Sequence, residues 1–198
     1  MRVEVLVPLV SYLLGSIPFG YLLVRLGEGV DIRSIGSGNI GATNVFRKSR
    51  WAGLLTLVLD GAKGYAAVII ARAGGADVTW QAVAALAAIA GHVFSLFLSF
   101  RGGKGVAAAA GAYLALAPRP LAASAALFLA TVVATRYISL ASIVGTAAFP
   151  VLAYLTGEPA ALVALSGAGS ALIVVKHHAN IRRLFAGTEN KFALGRRA

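Results

Sequence analysis

Apolar residues run through this chain in blocks long enough to cross a bilayer, and polar residues are confined to short intervals between them. A helix needs about 20 residues to cross the hydrocarbon, within a range of roughly 17–25. Seven stretches stand out: Val5–Val24, Trp51–Ala71, Trp80–Phe100, Val106–Ala117, Leu121–Thr135, Leu140–Leu155 and Pro159–Val175. The first three have full length. The fourth has only 12 residues and either begins inside the membrane or is re-entrant. The fifth and sixth are also short, which leaves a five-span arrangement open beside the seven-span one. The first stretch has a weak basic start, Arg2 then Glu4, and no Ala-x-Ala cleavage site, so it reads as a helix rather than a signal peptide. The pattern predicts an all-α polytopic bundle of about seven transmembrane helices, forming a single integral-membrane domain over residues 1–198. Small-residue runs such as Ala107–Gly111 and Gly167–Gly169 predict close helix packing.

Composition removes the soluble alternative. Of 198 residues, 59% belong to the hydrophobic set, 23 more are glycine, only 13% are charged, and mean hydropathy is +0.82. Soluble domains reach about 45–50% for a comparable set with glycine already included. Net charge is +11. In a soluble chain that charge would suggest nucleic acid. Here the cations sit in clusters between apolar blocks, which points to a positive-inside bias and to anionic lipids or substrates, with no nucleic-acid partner. Seven spans put Arg25, Arg33, Arg47, Lys48, Arg50, Arg101, Lys104, Arg136, Lys176, Arg182, Arg183, Lys191, Arg196 and Arg197 on one side. Only Arg2, Arg72 and Arg119 fall on the other, and Lys63 lies within a helix. The N-terminus is then outside and the C-terminus cytoplasmic. Trp51 and Trp80 stand at helix starts on opposite faces, as interfacial anchors. Cysteine is absent and there are three histidines, so neither thiolate chemistry nor a multi-His metal site is expected.

The same topology gathers the unusual polar segments on the cytoplasmic face. The first runs from Ser34 to Arg47. Gly36, Gly38 and Gly41 let the backbone turn closely around a ligand, and successive amides in such a turn can form an anion nest. Ser37, Asn39, Thr43 and Asn44 add neutral hydrogen-bonding groups, and Arg47 offers a planar fork for phosphate. The run is neither a Walker A loop nor a dinucleotide fingerprint. A flexible Gly/Ser linker would have no use for two Asn, Thr and Arg together. The second segment is Gly102-Gly103-Lys104-Gly105, which feeds the fourth stretch and places a helix N-terminus and the Lys104 ammonium at one point. His92 lies before it, within a helix, and reads as a buried histidine bonded to a carbonyl or as a base. Ser139 and Ser142 follow Arg136 and read alone as cap or packing residues. His177 and Asn180 end the last stretch and share a face if the helix continues. Adjacent His177 and His178 cannot meet on one metal, and Arg182 and Arg183 fit a basic tail on anionic lipid. Asp60 and Lys63 lie deep in the second stretch, where charges are costly, either as a structural pair or as site groups.

Taken together, Gly15–Gly20, Gly36–Val45, Gly102–Ala107, Arg136–Ser142 and His177 with Asn180-Ile181 resemble the bacterial acyl-phosphate:glycerol-3-phosphate acyltransferases, the PlsY family. The likeness covers nearly the whole chain in order. It implies an integral enzyme of the bacterial plasma membrane, without a cofactor, that moves a fatty acyl group from acyl phosphate to the sn-1 hydroxyl of glycerol 3-phosphate. Lysophosphatidic acid and phosphate are the implied products, in the first membrane step of phospholipid synthesis. By motif, the implied substrate-contacting residues are Ser37, Arg47, Lys104, Ser142, His177 and Asn180, with backbone groups of Gly38 and Asn39. Ser95, Arg101, His178 and Ala179 depart from the family's usual Pro, Lys, Arg and Glu, and none of these positions carries an implied contact. Acyl phosphate is an activated anhydride, so position and charge stabilisation of the leaving phosphate suffice without a covalent intermediate. His177 is a candidate base or an orienter, and a substrate phosphate is the other acceptor for the hydroxyl proton. A small anion transporter is the competing class; it predicts polar groups along a path through the bilayer, where the chain offers only Asp60 and Lys63.

Overall fold

The computed structural model describes residues 3–192; Arg2, Arg196 and Arg197, counted in the charge asymmetry, lie outside them. Regular structure among the described residues is helical. The elements are α1 (Val3–Ser16), α2 (Phe19–Glu28), α3 (Ala42–Lys48), α4 (Arg50–Ala73), α5 (Val78–Val93), α6 (Val106–Leu116), α7 (Pro118–Thr135), α8 (Ile138–Leu155), α9 (Ala160–Lys176) and α10 (His178–Phe185).

Each apolar stretch becomes largely helical, with local chemistry setting the ends; the third, expected to reach Phe100, leaves its α-helix after Val93, where Ser95 Oγ donates to Ser16 O instead. Ser49 and Asp77 cap α4 and α5 by accepting from Ala52 N at 3.4 Å and Trp80 N at 2.9 Å. Pro118 opens α7, where its missing N–H has no partner to lose. The first stretch is not one helix as expected. Pro18 has no N–H to continue the ladder, so the chain breaks at Ile17–Pro18 and restarts as α2.

Among the described residues five helices are long and apolar enough to cross a membrane, with Val5–Glu28 taken as one; the bent pair Ala160–Lys176 and His178–Phe185, 56° apart, makes six. The fourth stretch is the short one, as expected. At 1.5 Å per residue the 11 residues of α6 reach about 16 Å, roughly half the hydrocarbon thickness.

The core sits where α4, α5, α6, α8 and α9 converge, around Val68, Ile89, Tyr113, Phe149, Leu162 and Ile173. Tyr113 stacks on Phe149 with ring centroids 3.9 Å apart. A smaller cluster of Val24, Ile32, Ile40, Val45 and Leu98 anchors the long first loop against the helices. That loop and the turn before α6 therefore have fixed positions at one end of the bundle.

Candidate active site

Gly36 and Gly38 take φ of 59° and 69°, values that favour glycine. They turn the loop around Asn44, whose amide group holds it. Asn44 Nδ2 donates to Ile35 O and Asn39 O, each at 2.9 Å, and Asn44 Oδ1 accepts from Ser37 N at 3.0 Å. Asn39 Oδ1 accepts from Gly41 N at 2.8 Å. The amides of Gly38, Gly102 and Gly103 donate to Ile35 O, Val93 O and His92 O. This narrows the expected amide nest: the N–H groups of Gly38, Gly102 and Gly103 are used within the protein, and the turns present side chains beside them.

Those side chains meet in one cavity of about 450 Å³. Its polar end holds Ser37, Asn39, Thr43, Asn44 and Arg47 from the first loop, Lys104 from the second turn, Ser142 from α8, and His177 and Asn180 from the break between α9 and α10. Gly41 lines it too, whereas Gly36 and Lys63 do not. Gly38 and Gly102 face a neighbouring crevice with Arg33, Arg101 and Lys176. Gly103 lies behind Lys104, against the ring of His92. The helix does not run through His177 as expected, but the bend leaves His177 and Asn180 buried at 2% and 6% exposure in the same wall.

A hydrogen-bonded chain orders the polar end. Lys104 Nζ donates to Asn180 Oδ1 at 2.6 Å, and Asn180 Nδ2 donates to Glu189 Oε1 at 2.8 Å. Ser139 Oγ reaches the same oxygen at 2.9 Å, and Arg183 Nε donates to Glu189 Oε2 at 2.6 Å. Burial pulls the Lys104 ammonium down to about 8; the Glu189 carboxylate opposes that shift, while Arg183 and Arg47 reinforce it. Burial alone would raise the Glu189 carboxyl, but bonds from Asn180, Arg183 and Ser139 hold it below its ordinary value. His177 Nδ1 lies 2.8 Å from Ile173 O. A carbonyl only accepts, so Nδ1 carries the proton and Nε2 of the neutral ring is the acceptor. Ser142 Oγ donates back to Ile138 O at 2.8 Å and keeps its lone pairs.

Sequence reasoning missed Glu189 and the roles of Ser139 and Arg183. The available signal was that Glu189 is the sole acid in a tail otherwise rich in Lys and Arg. Glu189 and Asn190 line the cavity, and the segment that carries them is tied down by Phe192 N donating to Arg136 O at 2.7 Å.

Beyond the polar end the cavity turns apolar, between Val106, Ala110 and Tyr113 on α6, Leu121, Ala125 and Phe128 on α7, and Gly145 and Phe149 on α8. The start of α6, with Gly105 as its cap, sits at the junction, so its positive dipole end faces the polar part. A phosphate at one end and a hydrocarbon chain at the other is the ligand shape this wall fits.

An integral-membrane transferase with an anion-binding head and an apolar groove is the class these features define. The family model described as glycerol-3-phosphate acyltransferase matches residues 5–187. Curated glycerol-3-phosphate acyltransferases from Geotalea daltonii and Geobacter sulfurreducens are 48% and 47% identical, over 97% and 96% of this chain and 99% and 97% of theirs. The crystal structure of PlsY (YgiH), an integral membrane glycerol 3-phosphate acyltransferase, in its glycerol 3-phosphate form superposes with a TM-score of 0.91 at 38% identity, over 96% of both chains. Its lysophosphatidic acid form gives 0.88 at 37%, over 96% of this chain and 95% of that one. The chain belongs to the glycerol-3-phosphate acyltransferase family.

Proposed function

We propose that this enzyme transfers a fatty acyl group from acyl phosphate to the sn-1 hydroxyl of glycerol 3-phosphate, releasing lysophosphatidic acid and inorganic phosphate. The observation that carries this reading is the two-part cavity, with Arg47, Lys104 and the start of α6 at one end and an apolar limb between α6, α7 and α8 at the other. The solved relatives in glycerol 3-phosphate and lysophosphatidic acid forms support the acceptor and product. Acyl phosphate as donor rests on the chemistry. The hydroxyl oxygen bonds to the acyl carbonyl carbon, and the bond from that carbon to the phosphate oxygen breaks. The hydroxyl proton passes to a phosphate oxygen or to His177 Nε2. Arg47 and Lys104 offset the charge gathering on the leaving phosphate. Ser37, Asn39, Ser142 and Asn180 orient the two phosphates. The whole chain acts as one unit with about seven membrane crossings, the short α6 counted as one of them, and its N-terminus outside, in the bacterial plasma membrane. The excess of cations in the odd-numbered loops and tail supports an active site on the cytoplasmic face. The transporter alternative gains no support from the relatives.

The test is phosphate release from palmitoyl phosphate by detergent-solubilised protein, with and without glycerol 3-phosphate, and with palmitoyl-CoA as a parallel donor. Lysophosphatidic acid formed only from the acyl phosphate establishes donor and reaction. Turnover with the CoA donor alone overturns the donor. Full turnover by His177→Gln removes His177 as the base and leaves a substrate phosphate in that role.

A further inference from the structure

Three charged or titratable side chains have no part in the network around Lys104. Asp60 and Lys63 on α4 and His92 on α5 are only 2%, 3% and 3% exposed. Lys63 Nζ lies 2.8 Å from Asp60 Oδ1 and donates to Ile17 O at 2.7 Å, a carbonyl at the break between α1 and α2. His92 Nδ1 lies 3.5 Å from the same Asp60 oxygen and has no hydrogen-bond partner among the described residues. Asp60 and His92 reach the cavity wall, and Lys63 stands behind them.

The opposite edge of the His92 ring meets the phosphate-side turn. His92 O accepts from Gly103 N at 2.9 Å, and Val93 O accepts from Gly102 N at 3.1 Å. A Cβ on Gly103 would overlap His92 Nε2. The turn that ends in Lys104 thus rests on the last residues of α5 through two backbone bonds and one imidazole. Among the described residues Asp60 is the only carboxylate beside that ring, and Lys63 is the cation that balances it. A purely structural reading explains this poorly. A buried ion pair is often no more stabilising than apolar residues of the same size, and it adds a desolvation cost.

We propose that His92, oriented by Asp60, is a positioning residue for acyl transfer: it sets the Gly102–Gly105 turn and thereby the Lys104 ammonium, with Lys63 tying Asp60 to the helix break. The inference rests on Lys104 being a phosphate-binding group, as argued above. The acting path runs from Lys63 to Asp60, to the imidazole, to Gly103, to Lys104. Asp60 and His92 line the cavity wall, and their effect passes through the turn rather than through the reacting atoms.

The experiment uses full-length solubilised protein, with phosphate release from palmitoyl phosphate followed against glycerol 3-phosphate concentration and pH. His92→Phe, which keeps the ring volume without its nitrogens, lowers kcat/KM for glycerol 3-phosphate at least tenfold. It also moves the alkaline limb of the profile upward, because a displaced Lys104 is better solvated. His92→Gln, which restores a polar group near Nε2, recovers activity to within threefold of the parent. Asp60→Asn falls between them. Gly103→Ala loses activity through overlap with the ring, and adding His92→Ser restores at least tenfold of that loss. This last pair decides the matter should His92→Phe fail to fold. Parent-like kcat/KM and pH profile in folded His92→Phe, or no rescue in the double variant, overturns the proposal. An inactive parent enzyme removes the acyltransfer reading itself, whereas an active parent with unaffected variants removes only the positioning role.

Discussion

The two walls of the cavity are built differently. On one side α4 and α6 meet backbone to backbone, Gly64 against Ala108 O and Gly111 against Gly61 O, and α1 and α5 do the same through Gly15 against Ala88 O and Gly91 against Tyr12 O. On the other side α7 buries only Pro120 and Ser124, and Leu129 and Val133 stand 60% and 83% exposed. As candidate spans, Val78–Leu98 is 61% buried inside the protein and Pro118–Thr135 only 11%. In a bilayer the exposed face of α7 meets lipid tails and not water, so its low burial by protein costs little. The difference matches the two halves of the substrate. A reacting phosphate must be held within fractions of an ångström, and the turn carrying Lys104 is mounted on the glycine-packed side. A hydrocarbon chain needs only apolar volume, and the loosely packed side supplies it.

The comparison breaks most sharply at the polar end. Lys104→Ala and Arg47→Ala should each lower kcat/KM by on the order of 10²–10³-fold, the usual loss when one preorganised charge donor is removed from a developing anion. Phosphate release measures this, and an unchanged melting temperature shows that the fold is intact. Activity within threefold of the parent in both variants would remove the polar end as the reaction centre.

The next effect in size is on stability. Gly111→Val adds bulk directly against Gly61 O in the rigid wall. Overpacking of this kind costs about 1–3 kcal/mol or more, because neither backbone can yield without moving its helix. Ala125→Val, on the open face of α7, should cost under about 0.5 kcal/mol. Thermal unfolding in detergent compares the two, and equal losses would mean the walls do not differ in rigidity.

The membrane-helix architecture was legible in the sequence because seven apolar blocks with clustered cations admit few other arrangements. The break at Pro18 was not read from the sequence: Pro8 and Pro150 stand inside unbroken helices, so proline's missing N–H alone does not say where a helix stops. The convergence of the two glycine runs with His177 and Asn180 followed once all were placed on one face. What stayed hidden depended on tertiary contacts. Asn44 looks like a ligand-binding amide until the left-handed turns at Gly36 and Gly38 aim neighbouring carbonyls at it. Glu189 is nine residues from Asn180 and 50 from Ser139, and no local pattern says that all three will meet. Arg183 reads as a lipid-facing cation for the same reason.

The protonation of Lys104 sharpens the comparison further, since no lysine among the described residues lines the apolar limb. Burial has drawn this ammonium down to about 8, so it is charged below that pH and neutral above it. The phosphate group of the acceptor completes its second ionisation near about 6, so a fall above pH 8 cannot come from the substrate. Accordingly kcat/KM for glycerol 3-phosphate should be near its maximum at about pH 7, fall to about half near pH 8, and then drop towards tenfold per unit. Lys104→Arg, which stays charged throughout, should flatten that limb at a lower plateau. A parent profile level to pH 9.5 would show that the Lys104 charge is not needed.

The smallest effect belongs to the loose wall and tests whether it reads chain length at all. Ala125 on α7 and Ala110 on α6 both line the apolar limb, and both are exposed in the protein alone. Ala125→Leu fills part of that space without touching a polar group. Each methylene that no longer finds apolar cover forfeits about 0.8 kcal/mol, roughly a fourfold loss. The ratio of kcat/KM for palmitoyl over lauroyl phosphate should therefore fall by about that factor per excluded methylene, while KM for glycerol 3-phosphate stays within twofold. A uniform loss with both donors would mean the variant disturbs the polar end. An unchanged ratio would mean the acyl chain leaves the cavity elsewhere, since a wall open to lipid can discriminate only among the methylenes it covers.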